Sequence, residues 1–276
     1  MTAALVLDGV RKDFVVRDEG RSARFTAVQD VDLEVPDGQF LAVVGPSGCG
    51  KSTLLDLVAG LTTPTAGRIL LHGRPVTGPA TDRAVVFQQY ALLPWRTARK
   101  NVELGLESVG VPRRQRGRLA DEHLDLVGLT GFADRYPHEL SGGMKQRVAI
   151  ARALAVDPRV LLMDEPFAAL DAQTRESLQD ELLRIWRATG KTVVFITHGI
   201  DEAVYLGQRV AVMSPRPGRI SDLIDIDLDP VPGEDVRSDP AFGRLRHRVW
   251  SALRQPTRQQ PTRQQPTAHA REAAHV

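Results

Sequence analysis

Apolar residues along this chain follow two rhythms. Short apolar or alternating runs at 5–7, 14–16, 31–35, 40–44, 68–71, 84–87, 160–163, 193–197 and 210–213 predict strands, that at 40–44 a buried one. Longer segments with helical spacing lie at 54–59, 98–109, 112–129, 145–156 and 173–189, and a last amphipathic helix is expected over 242–253. Pro112 suits a first helical turn. Polar residues 17–24 read as a hairpin loop, 64–67 as a turn and 73–79 as a loop. Strands alternating with helices predict an α/β fold with a parallel core sheet, interrupted by a helical subdomain after Tyr90.

Between the strand at 40–44 and the helix at 54–59 lies Gly45-Pro46-Ser47-Gly48-Cys49-Gly50-Lys51-Ser52-Thr53, which fits the phosphate-loop pattern G-x-x-x-x-G-K-[ST] in full. Glycines let successive backbone N–H groups converge on an anion, and the helix opening near Lys51 adds the positive end of its dipole. Lys51 is placed to reach the outer phosphates of a nucleotide, and the Ser52 hydroxyl to ligate Mg²⁺.

Composition sets outer limits. The chain has 276 residues, enough for one large or two modest domains, and 42% hydrophobic and 25% charged content is ordinary for a globular protein. No apolar run approaches the roughly 18 residues of a membrane helix, and the N-terminus has no signal-peptide pattern. A soluble intracellular protein, or one held at a membrane by a partner, is expected. Cys49 is the only cysteine, so an intramolecular disulfide is excluded. It reads either as a space-filling residue or as a thiol whose pKa the phosphate loop lowers.

The net charge of +2 changes meaning once located: seven arginines from Arg244 onward face a single acid, Glu272, leaving the preceding residues net negative. Basicity therefore belongs to the tail, and nucleic acid is not an expected partner. Residues 255–276, with a repeated Gln-Gln-Pro-Thr-Arg theme, have nothing to bury and are expected to be disordered.

Further candidates stand at strand ends, where α/β folds bind ligands. Gln88 follows the strand at 84–87, Asp164 and Glu165 follow that at 160–163, and His198 follows that at 193–197. Phe14 reads either as a platform for a nucleotide base or as a half-buried strand aromatic. A second glycine-containing helix start, Leu140-Ser141-Gly142-Gly143-Met144-Lys145-Gln146-Arg147, offers another anion site.

Two such sites separated by a helical subdomain resemble the ATP-binding-cassette ATPases, with Met144 where the LSGGQ-like signature usually has glutamine. The resemblance spans about residues 3–220. It implies a P-loop NTPase core with a parallel sheet, an N-terminal antiparallel β subdomain and an inserted α-helical subdomain. The expected boundaries are 1–89 and 159–220 for the core, 90–158 for the helical part and 221–254 for a C-terminal extension. The resemblance also implies ATP and Mg²⁺ as ligands and a head-to-tail homodimer, each ATP lying between one chain's phosphate loop and the other's Ser141-Gly142-Gly143-Met144.

In that family Phe14 corresponds to the aromatic that stacks on adenine, and Gln88 to the glutamine that touches Mg²⁺ and water. Asp164 corresponds to the metal-holding carboxylate, Glu165 to the general base, His198 to the switch histidine and Asp171 to the loop that communicates across the dimer. Gly199 departs from the family, which usually has aspartate there.

The stretch from Gln88 to Arg96, with Leu92, Leu93 and Trp95, and the later Met213-Ser-Pro-Arg-Pro-Gly-Arg-Ile220, look like the nitrate, sulfonate and taurine importer branch. That implies a peripheral protein on the cytoplasmic face of the membrane, working with a separate permease and a substrate-binding protein. The other class weighed is a soluble cassette ATPase acting on ribosomes or DNA. Such proteins usually carry paired cassettes or long coiled-coil insertions, and this chain has neither.

Overall fold

The computed structural model describes residues 3–18, 21–228 and 235–254. β1 (Ala3–Asp18), β2 (Arg21–Pro36), β4 (Ala66–Leu71) and β5 (Arg74–Pro75) make an antiparallel sheet in the order β2-β1-β4-β5. β3 (Phe40–Val44), β6 (Arg83–Val86), β7 (Val160–Asp164), β8 (Thr192–Ile196), β9 (Arg209–Met213) and β10 (Ile220–Asp225) make the second, in the order β10-β9-β3-β8-β7-β6. All its pairings are parallel except that of β10 with β9. The helices are α1 (Lys51–Ala59), α2 (Ala98–Ser108), α3 (Arg113–Leu126), α4 (Gly142–Leu154), α5 (Ala172–Thr189), α6 (Ile200–Leu206) and α7 (Pro240–Arg254).

Strands buried on both faces must be apolar at every position, and their period of two then divides the core. Phe40, Ala42, Val44, Leu161, Met163, Val193 and Phe195 pack with helices α2 to α7. Their neighbours Leu41, Val43, Val160, Leu162, Val194 and Ile196 pack with α1 and the antiparallel sheet. Each Val, Leu, Ile, Phe or Met among them contributes about 1.5–3 kcal/mol by leaving water. Trp186 of α5 adds an edge-on contact to Phe40, centroids 5.7 Å apart.

The segment 17–24, expected as a loop, is mostly strand: β1 and β2 are each 16 residues long and stay paired out to Asp18 opposite Arg21. Residues 17–18 and 21–24 pair in the ribbon, and 22–24 are exposed, so polarity alone misread the segment. The parallel sheet also runs past the boundary expected at residue 220, because β10 adds an edge strand whose sequence, Ile-Ser-Asp-Leu-Ile-Asp, is half solvent-facing. Helix α6 was not foreseen, being only seven residues long. The stretch 255–276, expected to be disordered, lies outside the described residues.

β3, β8 and β7 are consecutive neighbours and parallel, so their carboxyl ends open onto one edge. Residues 45–53 and 197–198 follow directly from the ends of β3 and β8, Asp164 is the last residue of β7 and Glu165 follows it. β6, beside β7, brings Gln88 to the same edge two residues beyond Val86.

Candidate functional site

The phosphate loop is shaped by what lies behind it. A side chain at Gly45 would come within 2.7 Å of Cys49 Sγ, and one at Gly50 within 2.8 Å of the Ala27 carbonyl, where φ is also +105°. Both positions therefore require glycine. Cys49 is buried while Pro46, Ser47 and Gly48 form an exposed crest, and Gly48 also has positive φ. Burial pushes the Cys49 thiol up, which favours the space-filling reading over an activated thiol.

Lys51 is buried, and its ammonium donates to the Gly45 carbonyl at 2.8 Å and to that of Pro46 at 3.2 Å. The cation is thus folded over the loop. Ser52 stays exposed while Thr53 and the rest of α1 turn inward. The Ser52 hydroxyl donates to Asp164 Oδ1 at 3.4 Å. Burial at the end of β7 pushes the Asp164 carboxyl up, opposed by that hydrogen bond.

Glu165 is the turning point after β7. It adopts the left-handed conformation, φ +45°, which costs a residue with a Cβ about 1–3 kcal/mol. Its N–H donates to the Ile196 carbonyl of β8 at 2.9 Å, and its Oε2 lies 3.3 Å from His198 Nδ1. His198 is largely exposed. The expected base and switch residues therefore meet, beside the Ser52–Asp164 pair. Two hard oxygen donors, one a carboxylate raised by burial, fit a divalent cation such as Mg²⁺, which binds few protein groups and keeps waters and phosphate oxygens.

Other expected residues stand apart. Gln88 is exposed at the same sheet edge. Phe14, on β1 opposite Phe25, is 39% exposed, with Lys12 Nζ 5.1 Å from its ring. Ser141 caps α4 by accepting the Met144 N–H at 3.3 Å, which leaves Gly142 and Gly143 in the first turn. A Cβ on Gly143 would come within 2.7 Å of Thr174 Cγ2, so this helix start abuts the start of α5. Asp171 caps α5, accepting the Thr174 N–H at 3.0 Å, and that bond holds its carboxyl below the usual range. Among the described residues no hydrogen bond or ion pair joins 45–53 to 141–144.

Two sets of contacts around the site escaped sequence reading. Arg216 donates to the Gly48 carbonyl at 2.5 Å and lies 4.7 Å over the Phe25 ring, bracing the loop crest from outside. The only sequence signal was the Pro-Arg-Pro-Gly run around it. Asn101, fully buried, clamps the loop before α2: it accepts from the Leu93 N–H at 2.8 Å and donates to the Arg96 and Thr97 carbonyls at 3.0 Å. That clamp leaves Trp95 70% exposed.

Residues 28–168 match the family described as ABC transporter. The chain belongs to the ABC transporter family. It is an ATPase of that family, and its fold is that of the solved cassettes. The dimeric post-hydrolysis structure of the ATP-binding cassette MJ0796, bound to ADP and Pi, is 34% identical over 82% of this chain and all of that one, with a TM-score of 0.69. The taurine import ATP-binding protein TauB of Yersinia pestis is 51% identical over 81% of this chain and 89% of its own. The nitrate import ATP-binding protein NrtC of Synechococcus elongatus is 46% identical over 94% of this chain, which spans only 39% of that longer protein. Among the described residues of this cassette no helix is long and apolar enough to cross a membrane.

Proposed function

We propose that this cassette is the ATP-hydrolysing subunit of an importer, working as a head-to-tail pair on the cytoplasmic face of the membrane and powering uptake of a small anion such as nitrate, taurine or an alkanesulfonate through a separate permease and its substrate-binding protein. The observation that carries the reading is the convergence of Lys51, Ser52, Asp164, Glu165 and His198 on one sheet edge. The importer assignment is supported by the likeness to TauB and NrtC.

In this reading the amides of residues 45–53 and the Lys51 ammonium bind the ATP phosphates, and Phe14 stacks on the adenine. Ser52, Asp164 and Gln88 hold Mg²⁺, which supplies charge neutralisation at the phosphates when bound. Glu165 takes the proton of the attacking water, and His198, held against it, contacts the γ-phosphate. Ser141, Gly142, Gly143 and Met144 of the second copy close the site, because phosphoryl transfer depends on positioned charge rather than on covalent chemistry. Asp171 links the two sites. Trp95, Leu92 and Leu93, set by the Asn101 clamp, face the permease.

The test is to pull this protein from detergent-solubilised membranes of its own cell and identify the co-purifying chains. Recovery of a polytopic permease, with loss of taurine, sulfonate or nitrate uptake in cells carrying Glu165→Gln, is the expected result. Recovery of ribosomal or DNA-bound partners without a permease would overturn it.

A further inference from the structure

Beside His198 a hollow of about 500 Å³ opens between α5, α6 and the C-terminal residues Arg237, Phe242 and Arg246. Its wall holds a connected set of polar groups that the proposed hydrolytic roles do not use. At its centre is Glu202, in the first turn of α6. Glu202 Oε2 accepts the Thr197 hydroxyl at 2.5 Å, and the Thr197 oxygen in turn accepts the Gly199 N–H at 2.9 Å. The two residues flanking His198 are thus bound, directly or through one hydroxyl, to a single carboxylate.

The other oxygen of Glu202 faces two further elements. Oε1 accepts from Gln179 Nε2 at 3.2 Å and lies 3.7 Å from Arg175 Nε. Arg175 also donates to the Leu170 carbonyl at 2.8 Å, next to Asp171. Gln179 is 3% exposed, and its own carbonyl oxygen accepts from Arg237 at 2.6 Å, while the Arg237 guanidinium lies 4.0 Å over the Tyr205 ring. Hydrogen bonds in such a buried chain reinforce one another, and a broken link leaves a desolvated group without a partner.

Gly199 fits this arrangement through space rather than backbone freedom. Its φ of −83° is open to any residue. A Cβ there, however, would lie 3.3 Å from Glu202 Cγ and Cδ and 3.4 Å from Oε2. An aspartate at 199 would press a second carboxylate against Glu202, and like charges so close repel. Glycine leaves room for Glu202 to fold back onto Thr197.

We propose that Glu202 is the positioning residue of the switch loop, holding Thr197 and Gly199 so that His198 meets Glu165, and that Arg175 and Arg237 tie this grip to the loop before Asp171 and to the C-terminal segment. The proposal rests on the role given to His198 above.

It is tested by steady-state ATP hydrolysis of the full chain carrying Glu202→Gln, His198→Ala, both together, or Arg237→Ala. Glu202→Gln should lower kcat about tenfold and leave the KM for ATP within about twofold, and it should add nothing in the His198→Ala background. Arg237→Ala should act in the same direction, about threefold. Thr197→Val removes the same bond from the other side and serves if Glu202→Gln melts early. An unchanged kcat in Glu202→Gln and Thr197→Val, or losses that multiply with that of His198→Ala, would overturn the proposal. A parent-rate His198→Ala enzyme would refute the role of His198 itself. Activity lost by Glu202→Gln in that background would then refute the coupling as well, whereas the role of Glu165 is judged separately by its own variant.

Discussion

The chain has two helix starts rich in glycine, and they are built on opposite plans. At α1 the preceding residue, Gly50, is left-handed and offers no side-chain cap. The helix opens with a buried cation, Lys51, folded back over the preceding loop, and the Ser52–Asp164 hydroxyl–carboxylate pair stands beside it. At α4 the Ser141 side chain already satisfies one end amide, and Gly142 and Gly143 are ordinary helical residues, the first packed near Tyr90 and Leu170 and the second on the start of α5. The first site is equipped to bind a phosphate unaided. The second has amides and a helix dipole only, which suits a phosphate delivered already bound by another molecule. Within one chain the two are not joined, so the difference itself argues for a second copy.

The largest effect should come from the residue that completes the first site chemically. Glu165→Gln removes the proposed base while leaving the amides, Lys51 and Ser52 in place, so hydrolysis should fall about 10³-fold with ATP still bound. ATP should then hold two chains together, visible as a dimer by light scattering. Hydrolysis at the parent rate would remove Glu165 from the mechanism.

The next pair of variants separates the two helix starts. Lys51→Ala should weaken ATP binding to the lone chain about 100-fold, since the phosphates lose a positioned charge. Ser141→Asp keeps an equally good helix cap, so the melting temperature should hold, but it sets a carboxylate where we propose that the phosphate of the second copy docks. Hydrolysis should drop about 100-fold with lone-chain ATP affinity unchanged. Mixing the two inactive proteins should restore activity, because a head-to-tail pair then contains one site with neither defect. If Ser141→Asp weakened lone-chain binding as Lys51→Ala does, the contrast between the two starts would be lost.

How much of this was readable in advance follows the same division. Residues 45–53 announce themselves because a backbone cradle, a lysine and a hydroxyl must be contiguous, and the parallel strands because double burial makes them uniformly apolar. The alternation that sends Phe40 to one face and Leu41 to the other is likewise local. What stayed hidden is made by side chains distant in sequence. Arg216 reaches Gly48 across 168 positions, and Arg237 reaches Gln179 across 58. No periodicity encodes such a pair. The left-handed turn at Glu165 was equally invisible, since nothing about a glutamate favours it. The strand residues at 22–24 failed for a further reason: they are exposed, and an exposed strand segment has no apolar rhythm to detect.

The smallest effect tests whether the first site is prepared for a cation. Asp164 has an ordinary pKa of 3.8 when unfolded, and burial raises it in the folded chain. Above both values the carboxylate is charged in both states, and its burial costs stability; between them the folded chain takes up the proton first, so this penalty is relieved as pH falls through the window and is gone below both. Asp164→Asn should therefore raise the ligand-free melting temperature at pH 7 by about a degree or two and flatten its dependence on acid pH. With Mg²⁺ and ATP present the order should reverse, because only the carboxylate gains from the metal. A ligand-free melting temperature lowered by the substitution would mean that the Ser52 hydrogen bond outweighs burial. In that case the pair would be a structural link between α1 and β7, and the contrast with the uncharged signature would rest on Lys51 alone.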